Sequence, residues 1–367
     1  MFAAFDHAMM ARAIRLAEFG RCITTPNPFV GCVIVKNGRI IGEGFTQKGG
    51  RPHAEAVALQ SCTVSPEGAT VYATLEPCCP HPKSRGPACS DLLIAAKVQR
   101  VVSAMHDPFD GVDGFGHSRL REAGIMVETG LMEQAVREQL KAFLARVARR
   151  RPWVTLKVAM SVDGKTALAN GRSKWITGAA ARRDVHRMRA EACAVMTGIG
   201  TLMADDPQLN VRDVPCDRQP LRILLDSRLD VADNARILED GNVLVVTAAQ
   251  NDARERQLKV RGVDVVRVAV EQIKGKVDLV KMMEMLGLRG LNGIMVETGA
   301  KLNGSLLAAG VVDEIVAYVA PSILGEASRG LFALPAFTDL EERTRLKITD
   351  TRQIGADLRI TAAVLEN

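Results

Sequence analysis

Short apolar runs alternate with helical patterns along nearly all of this 367-residue chain, and the alternation breaks once, near residue 150. Residues 5–19 predict an amphipathic helix, and 30–36 and 39–45 predict strands. Asn37-Gly38 joins those strands and supplies the positive φ angles of a two-residue type I′ hairpin. A helix from about His53 to Cys62 comes next, then strand 69–75, helix 89–96, strands 99–105 and 125–128, and helix 131–148. Elements interleaved in this way predict an α/β layered domain. The break is Arg146, Arg149, Arg150, Arg151 and Pro152. It reads as a solvated helix end whose cations complement the C-terminal dipole before a proline stop, or as a phosphate- or RNA-binding patch. From Trp153 a second series begins. Strands are predicted near 153–160, 193–197, 221–226, 242–247, 264–268, 293–297, 313–320 and 356–365, with helices near 179–191, 276–286 and 303–309. Two α/β domains follow, 1–148 and 152–367, in keeping with roughly 150 residues per domain. The heptapeptide Gly124 to Gly130 recurs at Gly293 to Gly299, and both copies read as a buried strand ending in a turn before a helix.

Charge and composition narrow the partners. Lys and Arg number 48 against 42 Asp and Glu, a net charge of +6 that fits phosphorylated or anionic substrates at least as well as nucleic acid. Aromatics are only 4%, which counts against the stacking platforms of single-strand binders. Asp6, Arg12, Arg15 and Glu18 interrupt what would be a signal-peptide core, and no run approaches the roughly 20 apolar residues of a membrane span. A cytoplasmic protein is expected, with no membrane partner. Its eight cysteines should then stay reduced, so close Cys pairs read as metal ligands or buried thiols.

The strongest chemical signal is His53-Ala54-Glu55, followed by Glu76-Pro77-Cys78 and Cys89. One imidazole and two thiolates fill three positions of a tetrahedral Zn²⁺ and leave the fourth for water, whose pKa the metal lowers to roughly 7. Glu55, two residues beyond His53, is placed to move protons without binding the metal. This order of ligands and acid is that of zinc-dependent nucleobase deaminases. Cys78 and Cys89 are expected at the start of a helix, where N–H groups favour thiolates. Cys79 is a bystander or an alternative ligand; Cys22, Cys32, Cys62, Cys193 and Cys216 read as structural. In the second half the dinucleotide fingerprint GxGxxG is missing. Gly198-Ile199-Gly200-Thr201 after a strand is a weak phosphate signal, while Glu297 to Ser305 reads as a strand end, a Gly turn and a helix start that presents N–H groups to an anion.

Thr25-Pro26-Asn27-Pro28-Phe29-Val30-Gly31, the His-Ala-Glu at 53–55, Thr74-Leu75-Glu76-Pro77-Cys78 and Asp107-Pro108 resemble the N-terminal half of the bifunctional riboflavin-biosynthesis deaminase-reductase family. The resemblance runs on through Thr155 to Lys165, Ser173 to Thr177 and Ala320 to Gly325, and so covers essentially the whole chain. It implies a cytidine-deaminase-like α/β/α domain followed by a dihydrofolate-reductase-like α/β domain. It further implies zinc at His53, Cys78 and Cys89, proton transfer by Glu55, and Asn27 holding a 2,5-diaminopyrimidinone that bears a ribosylamino 5′-phosphate.

In the reductase half, the resemblance assigns NADPH to Ala159, Trp175, Thr201, Asp205, Ser227, Gly299, Ala300, Lys301, Leu302, Asn303, Gly304 and Ser305. It turns Lys157, Ser173, Arg189, Leu209, Arg212 and Glu297 toward the substrate, whose C1′ receives the hydride. Lys157 is the first candidate for polarising the substrate, and Arg and Lys suit its phosphate. Small enzymes of this kind are expected as homo-oligomers. Departures from the family pattern are Thr46 where a histidine is common, ten residues rather than eight between Cys78 and Cys89, and Thr298-Gly299 for a paired glycine. The lengthened segment, Pro80 to Gly86, falls where substrate-binding His and Lys side chains are expected, so roles for His81 and Lys83 stay open. These departures admit a second reading, a reductase whose deaminase domain keeps zinc but not substrate. The Arg cluster admits a third, an RNA-directed deaminase, which the scarce aromatics and the second-half motifs disfavour.

Overall fold

The computed structural model describes residues 2–80, 86–109, 112–270 and 275–365, and the chain divides into compact units of Met1–Arg150 and Arg151–Asn367. In the first unit five strands form one sheet: β1 (Gly31–Lys36), β2 (Arg39–Phe45), β3 (Thr70–Ala73), β4 (Arg100–Ser103) and β5 (Met126–Thr129), in the order β2-β1-β3-β4-β5. The pairs of β1 with β2 and with β3 are antiparallel; β3-β4-β5 is parallel. Asn37 and Gly38, both at positive φ, close the β1-β2 hairpin. Helices Ala4–Ala17 and Ala54–Gln60 pack on this sheet, and Met10, Ala13, Ala54 and Ala58 join Val33, Ile34 and Val71 in a single core. Gly44 lets the second helix lie directly on β2, because a methyl there would overlap the Ala54 carbonyl.

The second unit carries β6 (Trp153–Ser161), β7 (Lys165–Ala167), β8 (Ala194–Gly198), β9 (Leu221–Leu225), β10 (Val243–Thr247), β11 (Val263–Arg267), β12 (Gly293–Val296), β13 (Glu314–Ala320), β14 (Arg329–Gly330), β15 (Leu346–Ile354) and β16 (Asp357–Val364). Nine of them form a sheet ordered β11-β10-β9-β8-β12-β6-β13-β16-β15, parallel from β11 to β13 and antiparallel at the β16-β15 edge. Ala194 and Met196 enter one core while Val195 enters another, and Leu244 and Val246 separate from Val243 and Val245 in the same way. This is period-two burial on both faces, which near-continuous apolar strands require. β12 lies between β8 and β6, although three strands, β9 to β11, separate it from β8 along the chain and it returns to the sheet centre. Their carboxyl ends therefore form a topological switch point, where open α/β sheets bind ligands.

Several sequence expectations change. The single helix over 131–148 is two, Glu133–Gln139 and Lys141–Arg149, broken at Leu140, whose ψ of 9° leaves the helical range. Helices Phe115–Glu122, Ile199–Asp205 and Asp252–Val260 and strand β15 were not foreseen. The repeated heptapeptide takes two environments. At the sheet edge Met126 is 60% exposed, whereas its counterpart Met295 in the central β12 is 2% exposed, so only the second copy is a buried strand. Within the Arg cluster, Arg151 makes a paired bond to Asp313 (2.8 and 2.8 Å) and Arg146 donates to the Pro26 carbonyl (3.1 Å). Those two cations fasten their own units. Among the described residues no helix is long and apolar enough to cross a membrane.

Candidate functional site

After β3 the chain turns through Thr74 to Pro77 and delivers Cys78; Cys89 opens the helix Cys89–Ala95. Cys78 lies outside that helix, contrary to the sequence expectation, but its Sγ accepts the Cys89 backbone N–H at 3.3 Å and so gains the same donor. His53 is the N-cap of the helix Ala54–Gln60, which sets Glu55 in the first turn. His53 Nδ1 stands 3.4 Å from Cys78 Sγ and 3.3 Å from Cys89 Sγ. In tetrahedral zinc ligation such atoms are roughly 3.5 Å apart, given bonds of about 2.0 and 2.3 Å. The donor set therefore fits zinc as it stands.

The electrostatics agree with that fit. Hydrogen bonding from Cys89 outweighs burial and, with His53, holds the Cys78 thiol down at about 4. Cys89, beside that sulfur and buried near Glu55, is pushed up, so the pair holds one thiolate in readiness for a cation. Glu55 is buried and its carboxyl is raised by that burial, against the pull of His53. A buried, raised carboxyl is suited to taking and giving a proton near neutral pH. Cys79 is buried but lies outside the convergent set.

Around this centre Asn27 donates from Nδ2 to the Gly50 carbonyl (3.1 Å), tying the Thr25–Gly31 turn to the segment that leads into His53. Thr46 is buried; its Oγ accepts the Val30 N–H (3.0 Å) and its own N–H donates to the Val30 carbonyl (2.9 Å), so it braces backbone. A cleft of about 410 Å³ borders His53 and Cys89, and Arg51 lines it. Sequence reasoning missed Arg51, which no motif singles out. It also gave no role to Asp107, whose carboxyl burial raises to about 6. His81 and Lys83 lie outside the described residues.

In the second unit Glu297 follows directly on β12 and is the centre of a charged triad. Arg189 grips both its oxygens (2.5 and 3.0 Å) and Lys157, from the neighbouring β6, stands 3.5 Å away. Burial alone would raise the Glu297 carboxyl, but Arg189 and then Lys157 bring it to about 2. Arg189 also donates to the Asn210 carbonyl (3.0 Å), and Arg212 to Asn210 Oδ1 (2.6 Å), which gathers Arg189, Arg212, Lys157 and Glu297 at one place. His186 belongs here too, accepting the Arg212 N–H (3.3 Å), although the sequence gave no sign of it.

The next residues are a glycine turn and a helix start. Gly299 caps the helix Ala300–Ala308 without a side-chain bond, so the first-turn N–H groups of Ala300, Lys301 and Leu302 face outward from its start. The turn at Gly198 and Thr201 lies against it; Thr201 Oγ is 3.8 Å from where a Gly299 Cβ would stand. Lys174 bonds the Asp205 carbonyl (3.2 Å), and the exposed Trp175 ring carries the Arg182 guanidinium at 4.6 Å. Ala159, Ser173 and Ser227 are half-buried.

Four residues are placed otherwise than their ligand roles need. Asn303 is buried and donates to the Leu331 carbonyl (3.1 Å), and Gly304 is pressed on the Ala333 carbonyl. Ser305 sits a turn further along and donates to the Lys301 carbonyl, and the Leu209 side chain is in the core. The helix begins at Ala300, not 303, and that register turns Asn303 and Gly304 inward.

Residues 152–360 match the family model "RibD C-terminal domain", and residues 3–105 match "cytidine and deoxycytidylate deaminase zinc-binding region". The riboflavin biosynthesis protein RibD of Escherichia coli K12 is 44% identical over 96% of this chain and 98% of its own length. The chain belongs to the RibD family. The solved structure of Acinetobacter baumannii RibD has a TM-score of 0.90 at 39% identity, covering 99% of both chains. A Thermotoga maritima structure described as a diaminohydroxyphosphoribosylaminopyrimidine deaminase and 5-amino-6-(5-phosphoribosylamino)uracil reductase has a TM-score of 0.85 at 31% identity, covering 98% of this chain and 99% of its own. As a RibD protein the chain is a bifunctional deaminase and reductase of riboflavin biosynthesis, with a cytidine-deaminase-like first domain, a RibD reductase domain second, and zinc and NADPH as cofactors.

Proposed function

We propose that the 1–148 domain deaminates 2,5-diamino-6-(5-phosphoribosylamino)pyrimidin-4(3H)-one and that the 152–367 domain then reduces the ribosyl group to ribityl. The convergence of His53, Cys78 and Cys89 beside the buried Glu55 carries the reading. These three residues would hold the metal, which when bound supplies the Lewis acidity that makes water nucleophilic at neutral pH. Glu55 takes one proton from the attacking water and passes it to the ring nitrogen; it then takes the second from the hydroxyl so added and gives it to the amino group, which leaves as ammonia while the carbonyl forms. Its burial raises its proton affinity toward that of the groups it serves, which the proton shuttle needs. Asn27 positions the pyrimidine, and Arg51 at the cleft is suited to its phosphate.

For the second step NADPH supplies a hydride, and the protein orients it. Gly299 and the N–H groups of Ala300, Lys301 and Leu302 would bind a cofactor phosphate, with Thr201 beside them and Ala159, Trp175, Asp205 and Ser227 completing a cradle. Lys157 and Arg189, held by Glu297, with Arg212 and Ser173, face the substrate; Lys157 polarises its carbon–oxygen bond. The backbone rather than the side chain of Leu209 serves there. The protein reads as a cytoplasmic homo-oligomer without a membrane partner, and its modest charge and scarce aromatics favour a phosphorylated pyrimidine over nucleic acid.

The test is to incubate the purified protein with the diaminopyrimidinone phosphate, with and without NADPH, and follow ammonia and NADPH absorbance. Ammonia without NADPH, and NADPH oxidation only with substrate present, is the expected result. No ammonia, but reduction of the already deaminated compound, would leave a reductase alone.

A further inference from the structure

Glu76, His106 and His117 make a second convergence of donor atoms in the first unit, sharing no residue with His53, Cys78 and Cys89. They come from three separate segments: the turn after β3, the residues after β4, and the first turn of the helix Phe115–Glu122. Glu76 is buried and its carboxylate is fixed by three backbone N–H groups. Those of Asp107 (3.2 Å) and Gly114 (3.0 Å) bond Oε2, and that of His117 (3.0 Å) bonds Oε1. A carboxylate accepts at about four positions, so one remains. His106 Nδ1 and His117 Nδ1 lie 3.5 and 3.7 Å from Oε2, distances long for a hydrogen bond, and 3.3 Å from each other. The edges of a tetrahedral site with nitrogen and oxygen ligands are roughly 3.4 Å, given bonds of about 2.0–2.1 Å.

The surroundings suit a cation. The second nitrogen of His117, Nε2, is 2.6 Å from the buried Ser103 Oγ, an outer partner of the kind that turns the other ring nitrogen into a lone-pair donor. Burial also holds His117 at about 4, so the ring is neutral near pH 7. His106 is exposed and gives an ion a way in from solvent. Two imidazoles and a carboxylate are a donor set found at zinc sites that keep one position open.

We propose that Glu76, His106 and His117 form a second binding site for a divalent transition ion, of which Zn²⁺ fits the spacing. It differs from the first site in holding no sulfur. Filling it would tie the segments bearing His106 and His117 to the turn that leads into Cys78.

Cobalt titration of the metal-free, full-length protein tests this, because only thiolate ligation adds a sulfur-to-metal charge-transfer band. The wild type should take two equivalents of Co²⁺, one with that band and one adding only weak visible bands. Zinc analysis after reloading should likewise give two ions per chain. His106→Ala, at an exposed position, and His117→Asn should each drop to one equivalent and keep the charge-transfer band, which also shows that the unit still folds. A wild type that saturates at one equivalent would overturn the proposal and leave the two rings sharing a plain hydrogen bond. Two equivalents persisting in both variants would overturn it as well.

Discussion

Replacing Glu297 by Gln keeps the shape of the charged triad and removes its anion. Arg189 and Lys157 then stand buried around a neutral amide, with side chains only 11% and 18% exposed. Removing one partner of a buried ion pair costs about 3–5 kcal/mol. An independent route gives a similar figure: a carboxyl moved from 4.5 to about 2 carries about 3 kcal/mol of stability at neutral pH, at about 1.4 kcal/mol per tenfold change in proton affinity. For a domain of this size the midpoint of thermal unfolding should fall by roughly 10 °C. Both tryptophans, Trp153 and Trp175, lie in the second unit, so tryptophan fluorescence reports its unfolding alone. The sign with pH follows from the lowered folded-state value. Glu297's contribution is complete above about pH 4.5 and is lost as pH falls through about 2, so wild type and Glu297→Gln should converge in acid. A loss under about 1 kcal/mol at pH 7, or one unchanged at pH 2.5, would refute the reasoning.

Glu55→Gln should lower ammonia release about 10²–10⁴-fold while zinc content and NADPH oxidation with the deaminated substrate stay at wild-type levels; metal analysis and the two assays run side by side decide it. Gly304→Ala should cost about 1–3 kcal/mol, read as a lower denaturant midpoint of tryptophan fluorescence, because its methyl overlaps the Ala333 carbonyl. Lys301→Ala, on the exposed start of the same helix, should leave that midpoint in place and raise the KM for NADPH by roughly five-fold, as loss of one cation near a phosphate does. An unchanged KM would remove Lys301 from the cradle.

Elements were legible in the sequence where one face is buried. The helix predicted at 179–191 is Ala179–Glu191, and the strand predicted at 313–320 is Glu314–Ala320. Asp252–Val260 went unseen because Leu258 is its one buried side chain, and β15 because it is an edge strand with most residues exposed. Without an apolar face there is no period to read. The candidate metal-binding group His53, Cys78 and Cys89 stood out in the sequence for a different reason: metal chemistry limits both the residue types and their spacing. Arg189, Glu297 and Lys157 needed the resemblance, because they meet from a helix, a strand end and a neighbouring strand. Glu76 stood in the sequence only as a neighbour of Cys78 in a motif, and His106 and His117 had neither spacing nor motif to announce them. The inward turn of Asn303 and Gly304 depended on where the helix starts, and helix boundaries are what sequence patterns resolve least.

The heptapeptide shared by 124–130 and 293–299 gives the chain a matched internal control. Inside the two copies each amide has the same side-chain neighbours, so the intrinsic chemistry of its hydrogen exchange with solvent is the same. Any difference in measured exchange then reports local opening alone. The Met126 and Val127 amides sit at a sheet edge, and the Met295 and Val296 amides sit between two parallel strands. Their exchange-rate ratio would measure, within one polypeptide and one buffer, how much protection position in a sheet confers on a fixed sequence.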